Sequence, residues 1–302
     1  MLPEQFCVRM KEMLGEEYAA FYASYDLPKY QALRINPLKT ERDTFLQQAP
    51  FSLNRVPWTT NGYYYSGNDQ PGRHPYHEAG VYYIQEPSAM APAEYLMAEP
   101  GERILDLCAA PGGKSTQIAC SMQGEGLIVC NEIHPARAKI LSENIERMGV
   151  CNALVTNETP QKLSDNFREY FDRILVDAPC SGEGMFRKEP VARQQHCEAL
   201  VKQCAELGAE ILDCAAAVLA PGGQLVYSTC TFAPEEDEGQ VAAFLQRHPE
   251  FTLADALGNV DYTFGSEGEA NRTGGLPLDV SKVRRIWPCQ GGEGHFMARL
   301  IK

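Results

Sequence analysis

From about residue 81 onward, short apolar runs of strand length alternate with amphipathic segments of helical length, and few folds satisfy that order. RILDLC at 103–108 reads as a buried strand, followed by a glycine-rich loop and a helix from about Lys114. LIVCNEI at 127–133 reads as a second strand, with a helix over 135–147. ALVT at 153–156 and FDRILVD at 171–177 supply a third and a fourth. Residues 192–219 predict one long amphipathic helix, with apolar residues at helical spacing from 197 to 219. Pro221-Gly222-Gly223 ends it, QLVYST at 224–229 is a fifth strand, and another helix covers about 235–247. The tail, SKVRRIWP and GHFMARLIK around a glycine-rich turn, reads as an antiparallel hairpin. Strands that alternate with helices form a mostly parallel, doubly wound α/β sheet. Such sheets bind ligands beyond the carboxyl ends of their strands.

Residues 1–80 have a different texture, with aromatic and Pro/Gly-rich stretches such as WTTNGYYYSGNDQPGRHP. Helices near 3–14 and 16–25, a strand at 31–35 and a loop over 60–78 fit a small α+β unit ahead of a larger domain over 81–302. No apolar run reaches the length of a membrane span, and the N-terminus lacks the apolar core of a secretory signal, so the expected site of action is the cytoplasm. Eleven cysteines with no C-x-x-C pair argue against a disulfide framework and against a structural zinc site. His74-x-x-His77 lacks further ligands nearby, so no metal is expected. The net charge of −13 repels a polyanion at long range. Nucleic acid would have to be held by a local patch, for which Arg34, Lys39, Arg73, Arg187, Lys188, Arg284 and Arg285 are candidates. Trp58, Tyr63, Tyr64 and Tyr65 could stack on bases or fill a core. The run Glu235–Glu238 reads as support for a helix N-terminus.

Chemistry-bearing residues gather where the strands end. The first strand runs into Asp106-Leu107-Cys108-Ala109-Ala110-Pro111-Gly112-Gly113-Lys114. Two glycines let a ligand approach the backbone, and the helix start offers free N–H groups. Cys108 stands where a phosphate-binding P-loop needs its first glycine, and the dinucleotide pattern G-x-G-x-x-G is missing as well. What fits is a nucleoside-type cofactor without a pyrophosphate. Glu132, at the end of the second strand, is placed to accept hydrogen bonds from ribose hydroxyls. The fourth strand ends Asp177-Ala178-Pro179-Cys180 and the fifth Ser228-Thr229-Cys230, which brings two cysteines and a carboxylate to one sheet edge. A thiolate there can act as a covalent nucleophile.

DLCAAPGGKS, DAPCSGEGMFRK, YSTCTFAPEE, RINPLK at 34–39 and QEPSAM at 85–90 together resemble the motif series of the Sun/nucleolar-protein family of RNA 5-methylcytosine methyltransferases, in its bacterial RsmF-like branch. The resemblance covers essentially the whole chain. It implies a Rossmann-like methyltransferase fold with a small N-terminal α+β domain, S-adenosylmethionine as cofactor, and RNA as partner, small-subunit (16S) ribosomal RNA in particular. No membrane and no obligate protein partner is implied. Cofactor contacts are expected from Cys108, Ala109, Ala110, Pro111, Gly112, Gly113 and Lys114, from Glu132 and Asp177, and from Thr159 at the position after the third strand. Cys230 is implied as nucleophile and Cys180 as the thiol that assists release. Asp177 is the candidate proton donor to the base, on condition that burial raises its pKa. Relatives of this branch often carry a further C-terminal RNA-binding domain. Two other functions compete: methylation of an exocyclic amine, which would leave Cys230 idle, and an inactive RNA-binding assembly factor, which would need neither cysteine.

Overall fold

The computed structural model describes residues 2–255 and 264–302. The N-terminal part forms a four-stranded antiparallel sheet from β1 (Ala32–Ile35), β2 (Leu53–Arg55), β3 (Gly62–Tyr65) and β4 (Tyr82–Ile84), in the order β2-β3-β1-β4. Leu33, Ile35, Phe45, Tyr63 and Tyr82 close its core. Two features differ from the sequence reading. The segment 60–78 is not all loop, because it contains β3 and a short helix at Pro75–Glu78. Strand β4 also carries the small sheet past residue 80. The helices Glu4–Leu14 and Tyr18–Ser24 turn their apolar faces elsewhere, burying Phe6, Met10, Leu14 and Phe21 against Phe186, Phe232 and Trp287 of the larger sheet's loops.

The larger sheet contains β5 (Arg103–Asp106), β6 (Leu127–Asn131), β7 (Ala153–Thr156), β8 (Phe171–Asp177), β9 (Leu219–Thr229), β10 (Thr252–Leu253), β11 (Arg284–Ile286) and β12 (His295–Ile301). Its order is β10-β12-β9-β8-β5-β6-β7, with β11 paired to β12. Strands β5 to β9 run parallel, and β12 closes antiparallel on β9, with β11 and β12 forming the expected hairpin. Successive residues of a strand point to opposite faces. Ile104 and Leu175 therefore face the helices Gly113–Met122 and Pro135–Met148, while Leu105 and Val176 face Glu198–Val218 and Glu238–Arg247. A helix layer on each face is what makes continuous apolar strands tolerable.

The predicted helix over 192–219 is two helices, Pro190–Gln195 and Glu198–Val218. The break falls at His196-Cys197, where Cys197 is fully extended and the His196 ring is pinned to buried Glu183 at 2.7 Å. A tertiary ion pair here overrides an apolar periodicity that runs through the break. Likewise β9 begins at Leu219, before Pro221-Gly222-Gly223, which bulges out between Phe171↔Leu219 and Arg173↔Gln224. Among the described residues, no helix is long and apolar enough to cross a membrane.

Candidate active site

The carboxyl ends of β5, β6, β8 and β9 meet around a cavity of about 520 Å³. Strand β5 ends on Asp106, which is fully buried and accepts a hydrogen bond from Ser115 Oγ at 2.6 Å. Its second oxygen, Oδ1, has no hydrogen-bond partner among the described residues, and burial pushes the carboxyl up to about 7. The loop then bends through Gly112, whose φ of +107° suits glycine, and a Cβ there would meet Leu141 Cδ1 at 3.0 Å. Of the loop residues expected to touch a cofactor, Cys108 and Ala110 line the cavity. Ala109, Pro111, Gly112 and Gly113 shape the turn without lining it. The Cys108 thiol is pushed up first by burial and next by the Asp106 carboxylate, so it is inert as a thiolate.

Glu132, just past β6, lines the same cavity and is almost fully buried. Its Oε1 accepts the backbone N–H of His134 at 2.9 Å, and Arg137 lies 3.3 Å from Oε2. Beside it Asn131, which the sequence reading passed over, ties three elements together: it donates to Leu107 O and Glu158 O and accepts from Thr156 Oγ1 and Glu158 N. Thr159 does not line the cavity. It is the exposed N-cap of the helix Pro160–Asn166 and accepts from Lys162 N at 3.3 Å; Pro160 and Gln161 stand at the cavity wall in its place.

Parallel pairing of β8 with β9 puts Asp177 opposite Ser228 and so brings the two cysteine turns side by side. Cys180 Sγ and Cys230 Sγ are 3.4 Å apart, and both line the cavity with Asp177. The Cys180 thiol is raised well above its ordinary value, first by its contact with the Cys230 sulfur and then by burial. Asp177 departs from its expected role. Burial alone would raise it, but Lys114 Nζ lies 2.7 Å from Oδ2 and the His295 ring stands on the other side, and together the lysine charge and these contacts hold the carboxyl well below the usual range. Ser228 Oγ adds a hydrogen bond of 2.8 Å to Oδ1. The condition for Asp177 to donate a proton is therefore not met: it is a carboxylate, and an acceptor. Lys114 belongs to that ion pair and does not line the cavity. His295 had no signal in the sequence beyond a histidine in an apolar tail strand.

The basic candidates divide. Arg285 is wholly buried between Asp237 and Glu238, against Trp287 and Phe296. Arg34 is buried on Gln85, Gly113 O and Thr116. Arg187 is held by Glu293, Ser24 O and Gly292 O. None of the three is available to a phosphate. Lys39, Arg73 and Lys188 are exposed, and Arg284 is partly so. Trp58 and Tyr63 are core residues, whereas Tyr64 and Tyr65 keep partial exposure. The acidic run does stand at a helix start, with Asp237 as N-cap of Glu238–Arg247, but Glu236, Asp237 and Glu238 are also buried, each on a specific partner.

The model of the 16S rRNA methyltransferase RsmB/F family matches residues 93–301, and that of the N-terminal domain of 16S rRNA methyltransferase RsmF matches residues 2–87. The chain belongs to the RsmB/F family of 16S rRNA methyltransferases. It is 37% identical to the ribosomal RNA small subunit methyltransferase F of Cronobacter sakazakii, over 100% of this chain and 63% of that protein. With the Shewanella amazonensis protein of the same description it shares 36% identity over 91% of this chain and 59% of the other. The chain thus spans less than two thirds of the length of these curated relatives. Among solved structures, a methyltransferase homolog from Pyrococcus horikoshii superposes with a TM-score of 0.87 at 29% identity, covering 99% of this chain and 95% of that one. The fold is accordingly the Rossmann-like methyltransferase fold with an added N-terminal sheet.

Proposed function

We propose that this RsmB/F-family chain methylates carbon 5 of a cytosine in RNA, small-subunit ribosomal RNA in particular, with S-adenosylmethionine as methyl donor and Cys230 as covalent nucleophile. One observation carries the reading: two thiols 3.4 Å apart line the same cavity as a buried, ionised carboxylate. The cavity fits the donor by the chemistry of its walls. Glu132 is a buried acceptor suited to a ribose diol, Ile133 and Pro160 offer apolar surface to an adenine, and Cys108 and Ala110 line the same cavity as the thiols. S-adenosylmethionine supplies an electrophilic sulfonium methyl.

The chain's own groups divide the remaining work. Addition of the Cys230 thiolate to carbon 6 makes carbon 5 nucleophilic and requires a proton at ring nitrogen 3. Asp177 accepts a hydrogen bond from the exocyclic amine, and Lys114, 2.7 Å from Asp177, keeps that acceptor charged. In release, the carbon 5–hydrogen bond breaks, its proton passes to the Cys180 thiolate, and ring nitrogen 3 returns the proton it gained on addition. The freed electron pair forms the carbon 5–carbon 6 double bond, and the carbon 6–sulfur bond breaks with its pair returning to Cys230. In the free protein Cys180 resists ionisation chiefly because the Cys230 sulfur lies beside it. Once that sulfur is bonded to carbon 6 it bears no charge, and Cys180 ionises more readily, so that a thiolate is available at the step that needs a base. The base must leave any helical stack to reach the cavity. The cysteines are free thiols, which fits work in the cytoplasm.

Incubation of the Cys230→Ala and Cys180→Ala variants with 16S rRNA fragments and S-adenosylmethionine, followed by denaturing gels, tests the proposal. Cys230→Ala should give neither product nor adduct. Cys180→Ala should accumulate methylated RNA attached to protein. Full activity of both variants would overturn the covalent mechanism.

A further inference from the structure

Glu236 closes the run YSTCTFAPEE, to which the resemblance assigns only the nucleophile Cys230, yet it touches both cysteine turns through one neighbour. It is buried to all but 1% of its surface. Its Oε2 accepts the backbone N–H of Ser181 at 2.8 Å, and its Oε1 accepts the Ser181 hydroxyl. The Ser181 Oγ lies 2.8 Å from Thr231 Oγ1. Ser181 follows Cys180 and Thr231 follows Cys230, so the residues next to the two thiols are bonded to each other and anchored on one carboxylate. The carboxylate is itself fixed. Tyr227, inside β9, donates its hydroxyl to Glu236 O at 2.7 Å, and Glu236 N donates to Ala233 O at 3.0 Å. Gly184 N closes the turn from the other side by donating to Cys230 O at 2.9 Å.

This arrangement has a geometric purpose. Cys230 directly follows β9, which pairs with β12 as far as Thr229 and with β8 as far as Ser228. Cys180 sits in an irregular turn that runs from Pro179 to the left-handed Gly182, where no strand ladder holds the backbone. Without a clamp, the position of its sulfur relative to Cys230 would be set by loop motion. Proton removal from carbon 5 while carbon 6 is bonded to the neighbouring sulfur tolerates little such motion, because proton transfer needs the base within hydrogen-bond reach.

We propose that Glu236 is a positioning residue for product release, which holds Cys180 over the target carbon through Ser181 while leaving addition at Cys230 intact. The proposal rests on the covalent chemistry proposed above. Glu236 touches no reacting atom, and its effect passes through Ser181 to Cys180. Burial lifts its carboxyl to about 7, consistent with a group kept for its hydrogen bonds more than for its charge.

The test compares Glu236→Ala, Glu236→Gln, Ser181→Ala and Cys180→Ala in the full chain with 16S rRNA fragments. Single-turnover methyl transfer is followed separately from release of the denaturant-stable adduct. Glu236→Ala should slow release by about 10- to 100-fold, a part of what a general base contributes, and should leave single-turnover methyl transfer and S-adenosylmethionine affinity within about threefold. Glu236→Gln, which can accept from Ser181 N and donate to Ser181 Oγ, should restore most of the release rate. Ser181→Ala should also accumulate adduct, and it carries the test if Glu236→Ala does not fold. Equal losses in addition and release, or release unchanged in both Glu236→Ala and Ser181→Ala, would overturn the positioning role. If Cys180→Ala itself traps no RNA, the fault lies in the assignment of Cys180, and the Glu236 clamp falls with it.

Discussion

Replacing Arg285 by alanine should cripple folding and leave RNA electrostatics untouched. Among the described residues the side chain has no solvent exposure, nor do the side chains of its partners Asp237 and Glu238. Nε lies 2.7 Å from Glu238 Oε1 and NH1 2.9 Å from Asp237 Oδ2, with the guanidinium stacked 5.2 Å from the Trp287 ring centre and 5.3 Å from that of Phe296. Burial pushes the Asp237 carboxyl up, and Arg285 is the cation that opposes it. Removing one partner of a buried ion pair strands charge in a low-dielectric site and costs about 3–5 kcal/mol. For a chain of this size that is a fall in Tm on the order of 10 °C. Arg285→Lys keeps one charge but loses the forked geometry, so it should recover only part of the loss. The sign of the pH effect follows. In Arg285→Ala the Asp237 carboxyl, already raised by burial, loses the cation that opposes the rise, and a raised carboxyl contributes stability that is lost as pH rises. The deficit should therefore be smaller near pH 5 than near pH 8. Urea unfolding at both pH values gives the stabilities, and RNA binding against salt at low temperature gives the slope. A stability within about 1 kcal/mol of the parent, or a flattened salt slope in the folded variant, would refute the burial argument.

Two further outcomes follow from the cavity walls. Glu132→Ala should weaken S-adenosylmethionine binding by about 1–3 kcal/mol, the cost of unpaired hydroxyl partners, as read by calorimetry; unchanged affinity would remove Glu132 from the ribose site. Asp106, raised to about 7 by burial, should make stability fall as pH rises from about 4 to 7, since the unfolded carboxyl ionises first. Asp106→Asn should flatten that fall, which amounts to at most about 4 kcal/mol, in urea titrations across the range. An unaltered pH profile would mean that Asp106 ionises normally.

The order of apolar runs determined the parallel sheet by itself, because a strand that must pair in parallel needs a crossover, and the segments between strands have the length and periodicity of helices. That order also placed Cys108, Glu132, Asp177, Cys180 and Cys230 at carboxyl ends of strands, as the structure finds them. Partners distant in sequence stayed invisible. Arg285 reads as a surface cation until Asp237 and Glu238 fold over it, 47 residues away along the chain for Glu238. Asp177 reads as an acid that burial would protonate until Lys114 and His295 converge on it from separate elements. The break at His196 and the Glu236 clamp have the same origin, since each depends on a buried carboxylate and a donor from another loop. Periodicity records which face of a segment is apolar, a local property written in neighbouring residues. The charge state of a buried group depends on which distant ions share its low-dielectric surroundings, and only the tertiary structure decides that.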